Sequence, residues 1–229
     1  MIHSTTTSVT PPSKRIRFEL FGSVLPHPAS QASLATQAAP AIDIAVVHLG
    51  ASTLRTRTAQ RSAQSRAARR VLGAMLPACP GRRAPRICKT ALGAPYLEGG
   101  PDLRISIAHS GGWVACATSP SACVGIDIEQ PRQRDWLAGA PWALHPAEIA
   151  WMRENPERQS LQGLLHWCRK EALVKALGLG MHDSVPFPEI RFSPQGLLID
   201  APDRCGDVGA WNFHTQVLRS GAVMAAAWR

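Results

Sequence analysis

Val124-Gly-Ile-Asp127-Ile-Glu129 and, further along, Trp167-Cys-Arg-Lys170-Glu171-Ala-Leu-Val-Lys175 are the stretches that decide how this chain folds. The first alternates at period two. Val124, Ile126 and Ile128 face one side of a predicted strand, and Gly125, Asp127 and Glu129 face the other. Two strand steps separate the carboxylates by roughly 6–7 Å along the backbone, within reach of one hard cation, and Gly125 leaves space beside them. The second stretch has helical spacing. Trp167, Glu171 and Lys175 share one face with Lys170 at its margin, while Leu161, Leu165, Cys168, Ala172 and Ala176 form an apolar stripe. Each stretch alone has a plain reading: the polar side of a half-buried strand, and a surface Glu–Lys pair worth about 0.3–0.5 kcal/mol. Together they supply three acids and two lysines on regular elements, where a metal and a phosphate can meet.

Composition points the same way. Of 25 basic residues only Lys14, Lys89, Lys170 and Lys175 are lysines, so the other 25 − 4 = 21 are arginines. Lysine offers a compact point charge where arginine offers a planar fork, and two of the four lysines fall in the quoted helix. The formal net charge of +9 is concentrated. No Asp or Glu lies between Ile44 and Leu97, whereas Arg55, Arg57, Arg61, Arg66, Arg69, Arg70, Arg82, Arg83, Arg86 and Lys89 all do. An anionic partner follows: nucleic acid, a phosphorylated small molecule or an acidic protein. The six cysteines show no C-x-x-C pair and no histidine at zinc-finger spacing, so they are expected to be small core residues of a reduced, cytoplasmic protein. The first 14 residues lack the apolar core of a secretory signal, and no apolar run approaches the ~20 residues that span a bilayer.

The pattern predicts an α+β chain. Residues 1–14 read as disordered and 26–40 as a loop rich in Pro, Ala, Ser and Gln. Strands are expected at 15–20, 42–49, 103–109, 113–118, 123–129, 189–193, 197–200, 211–218 and 222–228, with helices at 58–76, 146–154 and 161–177. Gly178 and Gly180 close the last helix, and Arg219-Ser-Gly221 turns a hairpin. Strand, helix and meander thus occur twice without a sequence repeat. Two similar subdomains, 1–121 and 122–229, are expected to meet near residue 121 with a site between them.

A third element joins the acids and lysines: Ser106-Ile-Ala-His109-Ser110-Gly111-Gly112. His109 closes a strand before a glycine turn, where backbone amides, an imidazole or a hydroxyl can donate to an anion. Gly93-Ala94-Pro95-Tyr96 adds a turn nearby. The ordered set G-x-P, S-x-x-H-S, V-G-I-D-I-E and W-x-x-K-E-A-x-x-K resembles the 4′-phosphopantetheinyl transferases of the surfactin-activating (Sfp-like) type, from about Arg61 to at least Gly180. That resemblance implies a pseudo-dimeric fold of two α+β halves. It implies Mg²⁺-dependent transfer of phosphopantetheine from coenzyme A to a serine of an acyl, peptidyl or aryl carrier protein, with release of adenosine 3′,5′-bisphosphate. By it, Asp127, Glu129 and Glu171 match the Mg²⁺ carboxylates, and Lys170 and Lys175 match phosphate contacts. His109 matches the histidine near the 3′-phosphate, and Arg61 a further arginine there, with Arg66 as the alternative. Two positions depart from the family. Ala94 stands where G-K-P is common, so that contact is either lost or supplied by Lys89 or Arg86, and Ala108 stands where S-H-S is preferred, removing one hydroxyl donor.

The chemistry is coherent without the name. Mg²⁺ takes oxygen ligands from a few carboxylates plus substrate phosphates, and neutralises a diphosphate for in-line attack. Glu171, or water beside it, is the candidate base, and Lys175 or Lys170 can stabilise the departing bisphosphate. The expected partners are coenzyme A and an acidic carrier protein, with a monomer as the expected state and no membrane partner. The main alternative is a nucleic-acid-binding protein using Arg55–Arg86, although that block holds no aromatic residue for base stacking and leaves the acids without a role. A Mg²⁺-dependent nuclease or phosphatase, and an inactive relative, are further alternatives.

Overall fold

The computed structural model describes residues 42–50, 56–77, 85–132, 134–138, 142–179 and 185–229, together with the backbone of 17–24. The expectations for residues 1–14 and 26–40, and for Arg55, Cys79, Arg82, Arg83 and Gly180, lie outside them. The first half comprises β1 (Arg17–Val24), β2 (Ile42–His48), helix α1 (Arg57–Met75), a small hairpin of β3 (Arg86–Lys89) and β4 (Pro95–Glu98), then β5 (Arg104–Ser110) and β6 (Trp113–Ser119). The second half comprises β7 (Val124–Glu129), α2 (Pro146–Glu154), α3 (Gln159–Ala176), the short pair β8 (Arg191–Phe192) and β9 (Leu198–Asp200), then β10 (Asn212–Val217) and β11 (Val223–Trp228).

Local chemistry sets the ends of the helices. The Thr56 hydroxyl accepts the Ala59 N–H at the start of α1, and that helix stops at Leu76, before Pro77. Gly178 follows α3 in the left-handed region at φ 70°, with its N–H on the Lys175 carbonyl. The β3–β4 hairpin was not expected beyond its glycine turn, because four residues a side carry too little alternation to show in the sequence.

Two antiparallel sheets form, ordered β1-β2-β6-β5 and β10-β11-β7. The first uses only residues before 121 and the second only residues after it. Leaving β1 aside, both have the same order: the strand before the helix, then the last strand, then the one before it. Ile44, Val46, Ala115 and Ala117 from one sheet pack on Ile126, Ile128, Met224, Ala226 and Trp228 from the other. The opposite face of the first sheet buries Ala68, Val71 and Leu72 of α1. The opposite face of the second sheet receives α3, with Val223, Ala225 and Ala227 beneath Cys168, Ala172 and Ala176. Helix, sheet, sheet, helix is the order of layers. β5 and β7 run beside one another where the sheets meet.

Helix α3 departs from the amphipathic surface helix that its sequence suggests. From His166 to Val174 every residue is buried, while Leu161, placed on the apolar stripe, is 46% exposed. The helix is enclosed on one side by the second sheet and on others by α2 and the 185–192 segment, so polar as well as apolar faces lose water.

Gly125 provides no open space. A Cβ there would lie 1.9 Å from the Ala172 carbonyl oxygen and 2.4 Å from the Ala176 nitrogen. The missing side chain lets β7 and the α3 backbone touch, which is what brings Asp127 up to Glu171. Gly125→Ala is expected to cost about 1–3 kcal/mol as α3 is forced outward, read as a lowered Tm, and to weaken divalent-cation binding with it. A variant with wild-type Tm and metal affinity would show that the contact is slack.

Candidate active site

One carboxylate oxygen each from Asp127, Glu129 and Glu171 can be chosen so that all three lie within 4.8 Å of one another. The alternation of β7 supplies two of them and α3 the third. Lys175 Nζ sits among them, 2.6 Å from Asp127 Oδ1 and 3.4 Å from Glu171 Oε2. Three acids face one ammonium, leaving the cluster negative in the region where coulombic terms are least screened by water. Burial, with Asp127 second, pushes Glu171 up to about 8, and burial likewise raises Glu129 against the Ser110 hydrogen bond that lowers it. Burial works against the charge on Lys175, yet Asp127 and Glu171 raise it above the usual lysine value.

A divalent cation fits this donor set. The ligands are hard oxygens, the excess charge is negative, and Asp127 Oδ2 is buried without a hydrogen-bond partner. Asp127, Glu129 and Glu171 are the residues that would hold it.

The acids line the floor of a cavity of about 320 Å³ that Lys89, Arg69 and His109 also border. His109 is held below its usual value by partial burial and by the positive charges of Lys175, Arg61 and Lys89. Arg61 itself is exposed on α1, in reach of His109 by its charge, but Arg69, not singled out from the sequence, is the α1 arginine on the cavity wall. Ser65 fixes it, accepting from Arg69 Nη1 at 2.8 Å. Helical spacing from Arg61 could have shown this, since 61, 65 and 69 fall on one face. Lys89 pairs in register with Pro95, next to Ala94, so an ammonium stands in the neighbourhood of the position where the family commonly has lysine. A second cavity of about 270 Å³ opens on the other side of Glu129, walled by Trp136, Trp167, Leu161 and Leu164 with Arg132 and Arg134 at its rim.

Lys170 must be reassigned. It is fully buried and donates to Glu148 Oε2 at 2.6 Å, to the Ala143 carbonyl at 3.1 Å and to the Phe187 carbonyl at 3.0 Å. Those three bonds use every donor of an ammonium, so none is left for a phosphate. Five residues from Lys175 on a helix, it projects from a different face and ties α3 to α2.

Residues 123–227 match the family model of the 4′-phosphopantetheinyl transferase superfamily. That stretch belongs to the superfamily. It runs through β7, β10, all of β11 but its last residue, α2 and α3, and it contains the acid trio. The chain is similar to the 4′-phosphopantetheinyl transferase of Bacillus subtilis, 30% identical over 113 residues, covering 48% of this chain and 50% of that protein. It is 33% identical to the 4′-phosphopantetheinyl transferase of Aneurinibacillus migulanus over 95 residues, 41% of this chain and 38% of the relative. It is 42% identical to that of Salmonella typhi over 90 residues, 38% of this chain and 46% of the relative. The chain thus spans half or less of the length of these curated relatives. Among the described residues no helix is long and apolar enough to cross a membrane, and Cys88, Cys116, Cys123, Cys168 and Cys205 are free thiols.

A cation bound by the three carboxylates would compete with a proton at Glu171. Unfolded, Glu171 gives up its proton near 4.5; folded, it keeps it up to about 8. Between those values the folded chain holds the extra proton, so this group's contribution to stability falls as pH rises through that window. A divalent cation bound there would displace the proton, so the rise in Tm on adding Mg²⁺ should be larger at about pH 9 than at about pH 6. A pH-independent Mg²⁺ effect would place the ion elsewhere.

Proposed function

We propose that this chain is an enzyme that transfers the 4′-phosphopantetheine of coenzyme A to a serine of an apo carrier protein, releasing adenosine 3′,5′-bisphosphate. The observation that carries the reading is the convergence of Asp127, Glu129 and Glu171 beside a cavity bordered by Lys175, Lys89, Arg69 and His109. Two subdomains, 1–121 and 122–229, in a pseudo-dimeric arrangement agree with the common order of the two sheets. The cations suit the bisphosphate end of coenzyme A, with His109, Arg61 and Arg69 toward the 3′-phosphate and Lys175 at the diphosphate.

Mg²⁺, held by the three carboxylates, would neutralise the diphosphate and orient it for in-line attack. The carrier serine oxygen bonds to the phosphorus that bears pantetheine, and the bond from that phosphorus to the bridging oxygen breaks. Glu171, in the ionised form that a bound cation would favour, takes the serine proton. Lys175 stabilises the charge that develops on the departing bisphosphate. Glu129 borders both cavities, so a diphosphate in one leaves the uncharged pantetheine arm beside the apolar walls of the other. Arg132 and Arg134 at that rim suit an acidic carrier. Free thiols accord with a cytoplasmic setting, and two halves within one chain accord with a monomer.

The test is direct. With coenzyme A and Mg²⁺ the protein should raise the mass of an apo acyl or peptidyl carrier by one phosphopantetheine. Unchanged mass across several carriers, with DNA or RNA giving the larger thermal shift, would turn the assignment toward the arginine-rich helix.

A further inference from the structure

We infer that Ser110 is a positioning residue for cation binding, through which the first half of the chain completes a site whose acids all come from the second. The inference rests on the reading of Asp127, Glu129 and Glu171 as a cation site. In the sequence the Ser110 hydroxyl sits on a glycine turn and looks available to an anion. In the structure it is buried, donates to Glu129 Oε2 at 2.6 Å, and accepts the Gln130 N–H at 3.3 Å. Glu129 is the one member of the trio that is not fully buried and does not touch Lys175 within ion-pair distance. Arg132 and Lys175 act on it by charge, but Ser110 is the described side chain that hydrogen-bonds its carboxylate and so fixes its rotation.

The strand seam explains why serine does this. β5 and β7 lie side by side but belong to different sheets, so no ladder joins them. Ser106 and Ser110, four apart on one face of β5, reach across instead: Ser106 Oγ accepts the Ile126 N–H at 3.0 Å and Ser110 takes the carboxylate. The turn behind Ser110 is held from α1, where Gln64 donates through Nε2 to the Gly111 carbonyl. Gln130 covers that turn so closely that a Cβ on Gly111 would meet its side-chain amide. α1, the turn, Ser110 and Glu129 are thus linked in one hydrogen-bonded chain.

A carboxylate ligand held by an outer partner binds metal more tightly than a free one, with losses of 10–100-fold when the partner is removed. Ser110→Ala should therefore weaken Mn²⁺ binding about tenfold, measured on the full chain by the electron paramagnetic resonance signal of free Mn²⁺, with and without coenzyme A. The apparent Mg²⁺ constant in turnover should rise in parallel while the KM for coenzyme A holds, and Ser110→Thr, which keeps the hydroxyl, should recover the affinity. A purely structural serine would lower Tm and leave the Mn²⁺ constant in place. Ser110→Ala within about twofold of wild type overturns the proposal while the function above stands; a wild-type protein that binds no Mn²⁺ overturns both. Should Ser110→Ala fail to fold, Gln64→Leu decides: roughly threefold weaker Mn²⁺ binding supports the linkage, and unchanged binding removes it.

Discussion

Glu171→Gln should leave a folded protein whose transfer rate is lower by about 10²–10⁴-fold. The size follows from the double role given to this side chain. As the proposed cation ligand its loss removes one of three carboxylates, and as the proposed base its loss removes the proton acceptor. The fold should survive for a specific reason. Burial and Asp127 already favour the neutral acid, so a neutral amide of the same shape replaces the form that the buried site prefers. Tm without metal should be unchanged or higher, whereas the Mg²⁺-induced rise should shrink. A variant turning over within about tenfold of wild type would move the base elsewhere. One that unfolds would show that the carboxylate is structural.

Lys170→Ala should do the opposite, costing about 3–5 kcal/mol of stability, because it strips the partner from a buried carboxylate. Glu148 is nearly without solvent contact, and besides Lys170 it accepts the Phe192 N–H at 2.8 Å and the His145 N–H at 2.9 Å. His166 Nδ1 lies 3.3 Å from its other oxygen, but burial holds that imidazole down to about 3, so it brings no positive charge to replace the lysine. Loss of Lys170 leaves the buried Glu148 carboxylate with two backbone N–H donors and no counter-charge in contact with it. Replacing both groups, as Lys170→Met with Glu148→Gln, should recover much of the loss, since an ion pair exchanged for neutral groups of like volume is often near neutral. Chemical denaturation measures both. If Lys170→Ala instead keeps wild-type stability and loses only its affinity for coenzyme A, the lysine belongs with phosphate after all.

The two variants separate what was legible in the residues from what was not. Period-two alternation showed that Asp127 and Glu129 share a face, and helical spacing put Glu171 beside Lys175; both are properties of one element and survive in the fold. The resemblance placed Lys170 with Lys175, but five helical residues turn a side chain well away from its fellow. Which of the two faced the cavity depended on where α2 and the 185–192 segment would pack. In the sequence Gly125 reads as open space, because a strand alone cannot say what lies above it. Arg69 was passed over for Arg61 for the same reason, since one helical face offers both and only the position of the β3–β4 hairpin chooses between them. Only the β3–β4 hairpin, with four residues a side, is too short to show in the sequence, whereas the β8–β9 pair falls within the strands expected at 189–193 and 197–200.

By itself, the sequence determined the α+β character, the order of the long elements, the acid trio and the basic helix, because each is written in local periodicity and composition. Only the tertiary structure decided that Lys170 is a strut, that the Ser110 hydroxyl donates to the Glu129 carboxylate, and that α3 is enclosed on nearly every side. Those outcomes depend on contacts between residues far apart in the chain, and a charged or hydroxyl side chain acquires its role from whichever partner the packing brings within hydrogen-bond reach once water has gone.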